Sequence, residues 1–341
     1  MRLLVVGAES EYAIERFYLK YWMAFDKIID LEFFAAQNLF YDFYNKSIIN
    51  KVVFKFGLSR IYSQINRKLI RRIDDFNPDY IFVFKGMEIF SSTLIYAKNK
   101  KIKLINYNPD SPFVFSGKGS GNSNITKSID LYDFHFSYDH EISKTLINNH
   151  FAKVEILPFG FEISQGLFEI CLKEPEILKV CFIGTPDNER VNFINLLAEN
   201  GVFIDVFGSN WNRFVTHTNI QIFDAVYGIE LWKTLRRYRV QLNLMRPHNL
   251  DSHNMRSFEI PGIGGIQLAP NTADHRSFFE DGKSIFLFNS VEESLAKITF
   301  LLSLTTQNSI EIRRFSRQTC LDKKYTYYDR ANQVINFLLD L

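Results

Sequence analysis

The sequence predicts an α/β protein made of two doubly wound halves. First, short runs rich in Val, Ile, Phe and Tyr alternate with longer amphipathic stretches, as parallel strands joined by crossover helices do. Second, the chain has 341 residues, more than one hydrophobic core usually serves. Third, the alternation lapses once, through EISQGLFEICLKEPEILK (162–179), where Gly166 and Pro175 interrupt the apolar period, and then begins again. A hinge is therefore expected near 162–178, dividing domains at 1–165 and 166–341.

In the first half the strand candidates are LLVVG (3–7), LEFFA (31–35), YIFVF (80–84), IKLINY (102–107), FHFSY (134–138) and KVEILP (153–158). Helical patterns fall near 11–25, 59–75, 91–99 and 139–149. In the second half KVCFIG (179–184), VFIDVFG (202–208), VQLNLM (240–245), GIQLAP (265–270) and SIFLF (284–288) read as strands, with helices near 188–200 and 228–237. The low-complexity piece SGKGSGNSNITKS (116–128) is too short to link domains and reads as a mobile surface loop.

Composition excludes several classes. Forty Lys and Arg against 38 Asp and Glu give a formal charge of +2, without the concentrated positive charge that phosphate-backbone binding needs, so no nucleic-acid partner is expected. Cys171, Cys181 and Cys320 form no CxxC or Cys/His spacing, which predicts a reduced protein without a metal. The opening MRLLVVGAES is too short in its apolar run for a signal sequence and reads as a first strand, so a cytoplasmic protein is expected. No stretch approaches the roughly 20 apolar residues of a membrane helix. Thirty-four Phe and 16 Tyr suit a large aromatic core.

One local concentration of charge stands out. Lys51, Lys55, Arg60, Arg67, Lys68, Arg71 and Arg72 gather on a helical stretch with Phe54, Phe56, Ile61 and Ile65 between them. This is either a solvated helix face or a patch resting on anionic lipid at the inner face of the membrane.

Two doubly wound halves joined by a hinge put ligands in the crevice between them, beyond the carboxyl ends of the strands. The stretch HNMRSFEIPGIGG (253–265) lies at such an edge. A nucleoside diphosphate needs cations and backbone donors, and its ribose needs a carboxylate that accepts from both hydroxyls. Here Arg256 supplies the cation, Glu259 the carboxylate, and Gly262, Gly264 and Gly265 a turn without Cβ atoms. The loop GTPDNER (184–190) adds Gly184, Thr185 and Arg190 at another strand-to-helix junction. His248, Asn249, Asp251, Ser252 and His253 lack a metal-ligand spacing, and Gly7 alone is not a dinucleotide fingerprint.

The second half also resembles the CgeB-like, spore-maturation-type glycosyltransferases of group 1. The resemblance is carried in order by FIGTPDNER, FGSNW (207–211), MRSFEIPGIGGIQLAP, FFEDGKSIFLFNSVEE (278–293) and YTYYDRANQVI (325–335). It implies the GT-B architecture, two Rossmann-like domains facing across a cleft, with the last helix crossing back to the first domain. It further implies that Arg256, Phe258, Glu259 and Gly264 face the donor nucleotide, Glu259 holding the ribose, and Arg256 and Arg190 facing the diphosphate. In the first half NYNPDSP (106–112) is similar to the family's Trp-x-x-Asp-Asp-Pro segment, although Ser111 replaces the second Asp and the Trp is absent.

The expected activity is transfer of a sugar from a nucleotide-sugar donor to a glycan, lipid-linked glycan or surface-polymer acceptor, with no metal cofactor. If the anomeric centre inverts, a base is required, and Asp110 is the first candidate and His253 the second. Two other readings fit the same residues. A nucleotide-sugar epimerase would act on donor alone, and a non-catalytic nucleotide-sugar-binding partner in polysaccharide assembly would do neither reaction.

Overall fold

A computed structural model describes residues 1–10, 13–25, 28–115, 119–215, 217–246 and 251–341. The chain divides into two compact units, Met1–Pro158 with Arg330–Leu341, and Phe159–Asp329.

In the first unit β1 (Arg2–Val6), β2 (Asp30–Phe34), β3 (Tyr80–Phe84), β4 (Lys103–Asn108), β5 (Phe134–Ser137) and β6 (Val154–Ile156) form one parallel sheet in the order β2-β1-β3-β4-β5-β6. The helices are α1 (Glu15–Met23), α2 (Ala36–Lys46), α3 (Ile48–Lys55), α4 (Ile61–Phe76), α5 (Ser91–Asn99), α6 (Ser123–Thr126) and α7 (His140–His150). Helix α4 shows why such sequences form helices. Ile61, Ile65, Leu69 and Ile73 recur every four residues and pack on Leu4, Ile81 and Leu104 of the sheet. Asn77 stops it with a left-handed φ of 47°, its N–H donating to the Ile73 carbonyl. The opposite face of the sheet is aromatic, with Tyr18 and Trp22 of α1 against Phe82, Phe84 and Tyr107.

In the second unit β7 (Ile177–Ile183), β8 (Ile204–Phe207), β9 (Ile220–Phe223), β10 (Tyr238–Leu242), β11 (Gln267–Pro270) and β12 (Phe286–Phe288) form a second parallel sheet, ordered β12-β11-β10-β7-β8-β9. It is flanked by α8 (Gln165–Leu172), α9 (Asn188–Glu199), α10 (Gly228–Arg237), α11 (Arg256–Gly262), α12 (Ala273–Phe278), α13 (Val291–Ser303) and α14 (Thr306–Asp322). Its core joins Val180, Ile204 and Val240 of the strands to Ile194, Leu197, Ile298 and Leu301 of the helices. The last helix, α15 (Tyr327–Leu339), starts in this unit, and from Arg330 onward it belongs to the first. There the Ala331 carbonyl accepts from Trp22 Nε1 (3.1 Å), Gln333 donates to the Ile156 carbonyl (2.8 Å), and Phe337 meets Phe134 and Phe136 edge-on.

Both strand orders reverse direction at one point, between β1 and β3 in the first unit and between β7 and β10 in the second. These are the topological switch points, where the loops leaving adjacent strands diverge and open a crevice.

The fold departs from the sequence reading in several places. The helical stretch through 51–72 is broken into α3 and α4 by Gly57, whose φ of 71° no helix accepts. Helix α2, strand β9 and helix α8 within the expected hinge had not been expected. The chain passes from one unit to the next at Pro158, because Leu157 still donates to Ser137 whereas Phe161 is bound on both sides to Tyr325 and Tyr327. In the low-complexity piece residues 119–128 include the short helix α6, capped by Asn122; residues 116–118 lie outside the described ones. No helix among the described residues is long and apolar enough to cross a membrane.

Candidate functional site

The switch point of the second unit gathers the loop after β7, the strand end after β10, and α11. Asp187 caps α9 by accepting from the Arg190 N–H (3.0 Å), which fixes the course of the GTPDNER loop. The Arg190 guanidinium lies beside Asp187 (3.3 Å) and donates to the carbonyls of Leu244 (2.7 Å) and Thr185 (3.2 Å). Burial first, opposed by Asp187, pushes this guanidinium down to about 10. Arg190 therefore serves as a buried clip between two loops of the site. The neighbouring Arg246 is exposed and donates to Thr185 Oγ1 (3.0 Å). Sequence reading missed Arg246, although its place just beyond an apolar strand was a usable signal. Gly184 sits against the Phe182 ring, about which a Cβ would close to 3.0 Å.

Helix α11 begins at Arg256, one turn before the buried Glu259, and the two form an ion pair through Arg256 Nη1 and Glu259 Oε2. The helix is seated by a polar chain: Asn254 donates to Asn243 (2.9 Å), Asn243 to Ser257 (3.2 Å), and Ser257 meets His275 Nε2 (2.8 Å). Burial holds His275 down at about 4, so it is neutral at pH 7 and its two nitrogens serve Ser257 and the Pro270 carbonyl.

Phe258 points away from this surface. It is fully buried among His253, Phe278, Phe279 and Tyr325, with ring centroids 5.1–5.9 Å away. The glycines after it are packing residues in this structure. A Cβ on Gly262 would strike the Phe161 ring at 2.5 Å, one on Gly265 the Ile260 side chain at 2.8 Å, and Gly264, with φ 74°, would meet the Arg313 carbonyl at 3.1 Å. Their small size lets α11 turn sharply into β11.

His253 is likewise interior. Its Nδ1 lies 2.7 Å from Asp274 Oδ2, its Nε2 accepts from the Phe159 N–H (3.3 Å), and it has no solvent exposure. Both ring nitrogens are thus engaged, and the residue is placed to hold Asp274 and Phe159 rather than to meet a reacting hydroxyl. His248 and Asn249 lie outside the described residues, and among the described residues no cluster of His, Cys, Asp or Glu has metal-binding geometry.

The switch point of the first unit carries a second cluster. Asp110 sits in a turn in which Asn108 accepts its N–H (3.0 Å), and its Oδ2 is bound by Lys85 Nζ at 2.6 Å. Lys85 leaves β3 with a left-handed φ of 61° and is held by its N–H to the Tyr107 carbonyl. Glu15 reaches back over Gly7 and accepts from the Ala8 N–H (3.2 Å); a Cβ at Gly7 would displace it, meeting Glu15 Cγ at 2.9 Å. Burial raises the Glu15 carboxyl above its ordinary value, opposed by backbone donors and the Lys85 charge. Burial also pushes Glu88 up to about 7, against its own N–H and Lys85 and with help from Glu15. Sequence reading singled out Asp110 of the β4–α6 connection and missed Glu15 at the start of α1 and Lys85 and Glu88 of the β3–α5 connection, which share no motif with it.

Residues 190–336 match the glycosyl transferase-like family. No curated protein matches the chain. Solved structures do, over nearly its whole length and at low identity. Anabaena HepE in complex with UDP superposes with a TM-score of 0.65 at 11% identity, covering 100% of both chains. A glycosyltransferase from Rickettsia africae gives 0.63 at 13% identity over 98% of this chain and 97% of the other. The fold is that of the GT-B glycosyltransferases. A UDP-GlcNAc 2-epimerase from Neisseria meningitidis, bound to UDP-GlcNAc, shares it too, at a TM-score of 0.55, 14% identity and 100% of both chains.

Proposed function

We propose that the protein is a nucleotide-sugar-dependent glycosyltransferase of the CgeB-like branch, taking a UDP-sugar as donor. The observation that carries this reading is the Arg256–Glu259 pair at the switch point of the unit that matches the glycosyl transferase-like family. Glu259 accepts from the ribose hydroxyls through the oxygen Arg256 does not hold. Arg246, with Thr185 and the Arg190-clipped loop beneath it, faces the diphosphate and stabilises it as a leaving group. UDP is favoured because HepE was crystallised with UDP and with UDP-glucose. The first unit binds the acceptor, a glycan, lipid-linked glycan or surface polymer. If the anomeric centre inverts, the carboxyl of this unit that burial pushes up to about 7, Glu88, would take the proton of the acceptor hydroxyl, whereas Asp110 is engaged by Lys85. No step requires a metal ion.

The test is nucleotide binding followed by turnover. UDP at about 100 times its dissociation constant should stabilise the native state by roughly 2.7 kcal/mol, against no shift from GDP, dTDP or CMP. Glu259→Ala should weaken UDP binding about 10–100-fold, the worth of one charge-assisted hydrogen bond, while its melt without ligand stays cooperative. Undiminished UDP affinity in that variant would remove Glu259 from the site. A second reading, nucleotide-sugar epimerisation, is favoured by the epimerase neighbours. Product analysis of donor alone separates the two, since an epimerase converts the donor without an acceptor and a transferase does not.

A further inference from the structure

Helix α3 lies on the surface of the first unit and is anchored largely by one ring. Phe54 packs against Phe40, Tyr44 and Tyr62 with centroids 4.8, 5.8 and 5.5 Å away, and Ser47 caps the helix by accepting from the Asn50 N–H. No residue of the helix is buried. Ile48, Val52 and Phe56 follow one another at four-residue spacing and so share a face. Ile48 is 80% exposed, Ile49 71%, Phe56 72% and Leu58 74%, and Val52 is exposed with them. Single exposed aliphatics are ordinary on soluble proteins; five within residues 48–58 form a patch that needs a partner.

The charge around the patch identifies that partner. Between Phe43 and Ile73 the chain carries eight Lys and Arg and no Asp or Glu, although its net charge is only +2. Lys51 and Lys55 are exposed on α3 itself, and Arg60 lies just beyond its terminal turn. A second copy of the chain would set this cationic surface against itself. A nucleic acid would satisfy the cations but leave the aliphatic stripe in water. An anionic bilayer surface satisfies both, because phosphates meet the ammonium groups while the apolar stripe enters the acyl boundary, the long lysine stems reaching back to the headgroups.

We propose that α3 and the turn after it dock the protein on an anionic lipid surface, with Ile48, Ile49, Val52, Phe56 and Leu58 inserted and Lys51, Lys55 and Arg60 on the headgroups. This is independent of the transferase reading, since it uses none of the residues assigned to either switch point. The experiment is flotation of the full chain with vesicles of phosphatidylcholine alone or mixed with phosphatidylglycerol. The wild type should float with the mixed vesicles only, and less so as salt is raised. Ile48→Ser with Phe56→Ser, and separately Lys51→Glu with Lys55→Glu, should each weaken partition more than about tenfold, because each inserted apolar side chain contributes about tenfold or more and each headgroup-facing cation about fivefold. Both variants should melt like the wild type, since the replaced side chains are exposed, and this keeps lost docking distinct from lost folding. Wild-type protein that fails to float, or variants that float equally well, would overturn the proposal. So would a concentration-dependent dimer seen by light scattering and abolished by Ile48→Ser with Phe56→Ser, or retention on duplex DNA that survives that variant.

Discussion

Replacing Glu176 by Gln tests the physical account of the second unit most directly. Glu176 precedes β7 and gathers two buried arginines. Its Oε1 accepts from Arg239 Nε (2.8 Å), Ser309 Oγ (2.8 Å) and Arg313 Nη2 (3.0 Å), and its Oε2 from Arg239 Nη2 (2.6 Å). The arginines carry the connection onward. Arg239 donates to the carbonyls of Leu301 and Leu304, and Arg313 to those of Arg236, Tyr238 and Gly264. The last of these fixes the turn that follows α11. Burial by itself would raise the Glu176 carboxyl, but the hydrogen bonds from Arg239 and Ser309 and the Arg313 charge outweigh it and bring the group down to about 2 from 4.5.

A carboxyl depressed that far contributes about 3 kcal/mol, and leaving two guanidiniums buried without their partner costs a comparable 3–5 kcal/mol. For a unit of this size the expected fall in Tm at pH 7 is about 6–12 °C. Because the folded-state value lies below the unfolded one, the stabilisation is fully present above about pH 4.5 and is lost as pH falls through about 2. Calorimetric melts of wild type and Glu176→Gln from pH 7 downward should therefore converge below pH 4.5. A difference under about 2 °C at pH 7, or one that stays constant with pH, would refute the reasoning.

Three further perturbations have equally definite outcomes. Gly264→Ala forces a Cβ onto a left-handed backbone 3.1 Å from the Arg313 carbonyl and should cost about 1–2 kcal/mol, read by urea denaturation. Glu88→Gln should raise Tm at pH 8 and leave it unchanged near pH 4, because a carboxyl whose folded value is raised from 4.5 to about 7 destabilises the fold increasingly as pH rises between those values; in a turnover assay the same variant should lose any activity limb near pH 7. His253→Phe leaves the buried Asp274 carboxylate without its imidazole and should cost about 2 kcal/mol or more by thermal melt. It should not alter UDP affinity measured below that melt, as its ring is enclosed by Phe159, Phe258 and Phe278.

Much of this protein was legible in the sequence because its strands are buried on both faces, and such strands read as continuous apolar runs. Thus LLVVG, YIFVF and KVCFIG announce β1, β3 and β7 without help from their neighbours. The place of Arg256 and Glu259 was legible for a similar reason, since both lie within one turn of one helix, but their ion pair was not, because the sequence reading gave Arg256 to a diphosphate and Glu259 to a ribose. Strand β9 escaped because it is a four-residue edge strand, with Gln221 and Ile222 exposed. Helix α14 defeats an apolar-period reading because its inward face includes Arg313 as well as Ser309 and Ser316, the guanidinium satisfied by carbonyls from distant strands and loops. The sequence by itself determined where the doubly buried strands are and which short motif lies at a switch point, because hydrophobic burial and i to i+3 spacing are local properties. Only the tertiary structure decided that Lys85 pairs with Asp110 and lends its charge to Glu15 and Glu88, that Phe258 and His253 turn inward, and that three glycines serve packing. Each of those outcomes depends on which strands lie side by side, and strand order is set by contacts between residues tens of positions apart.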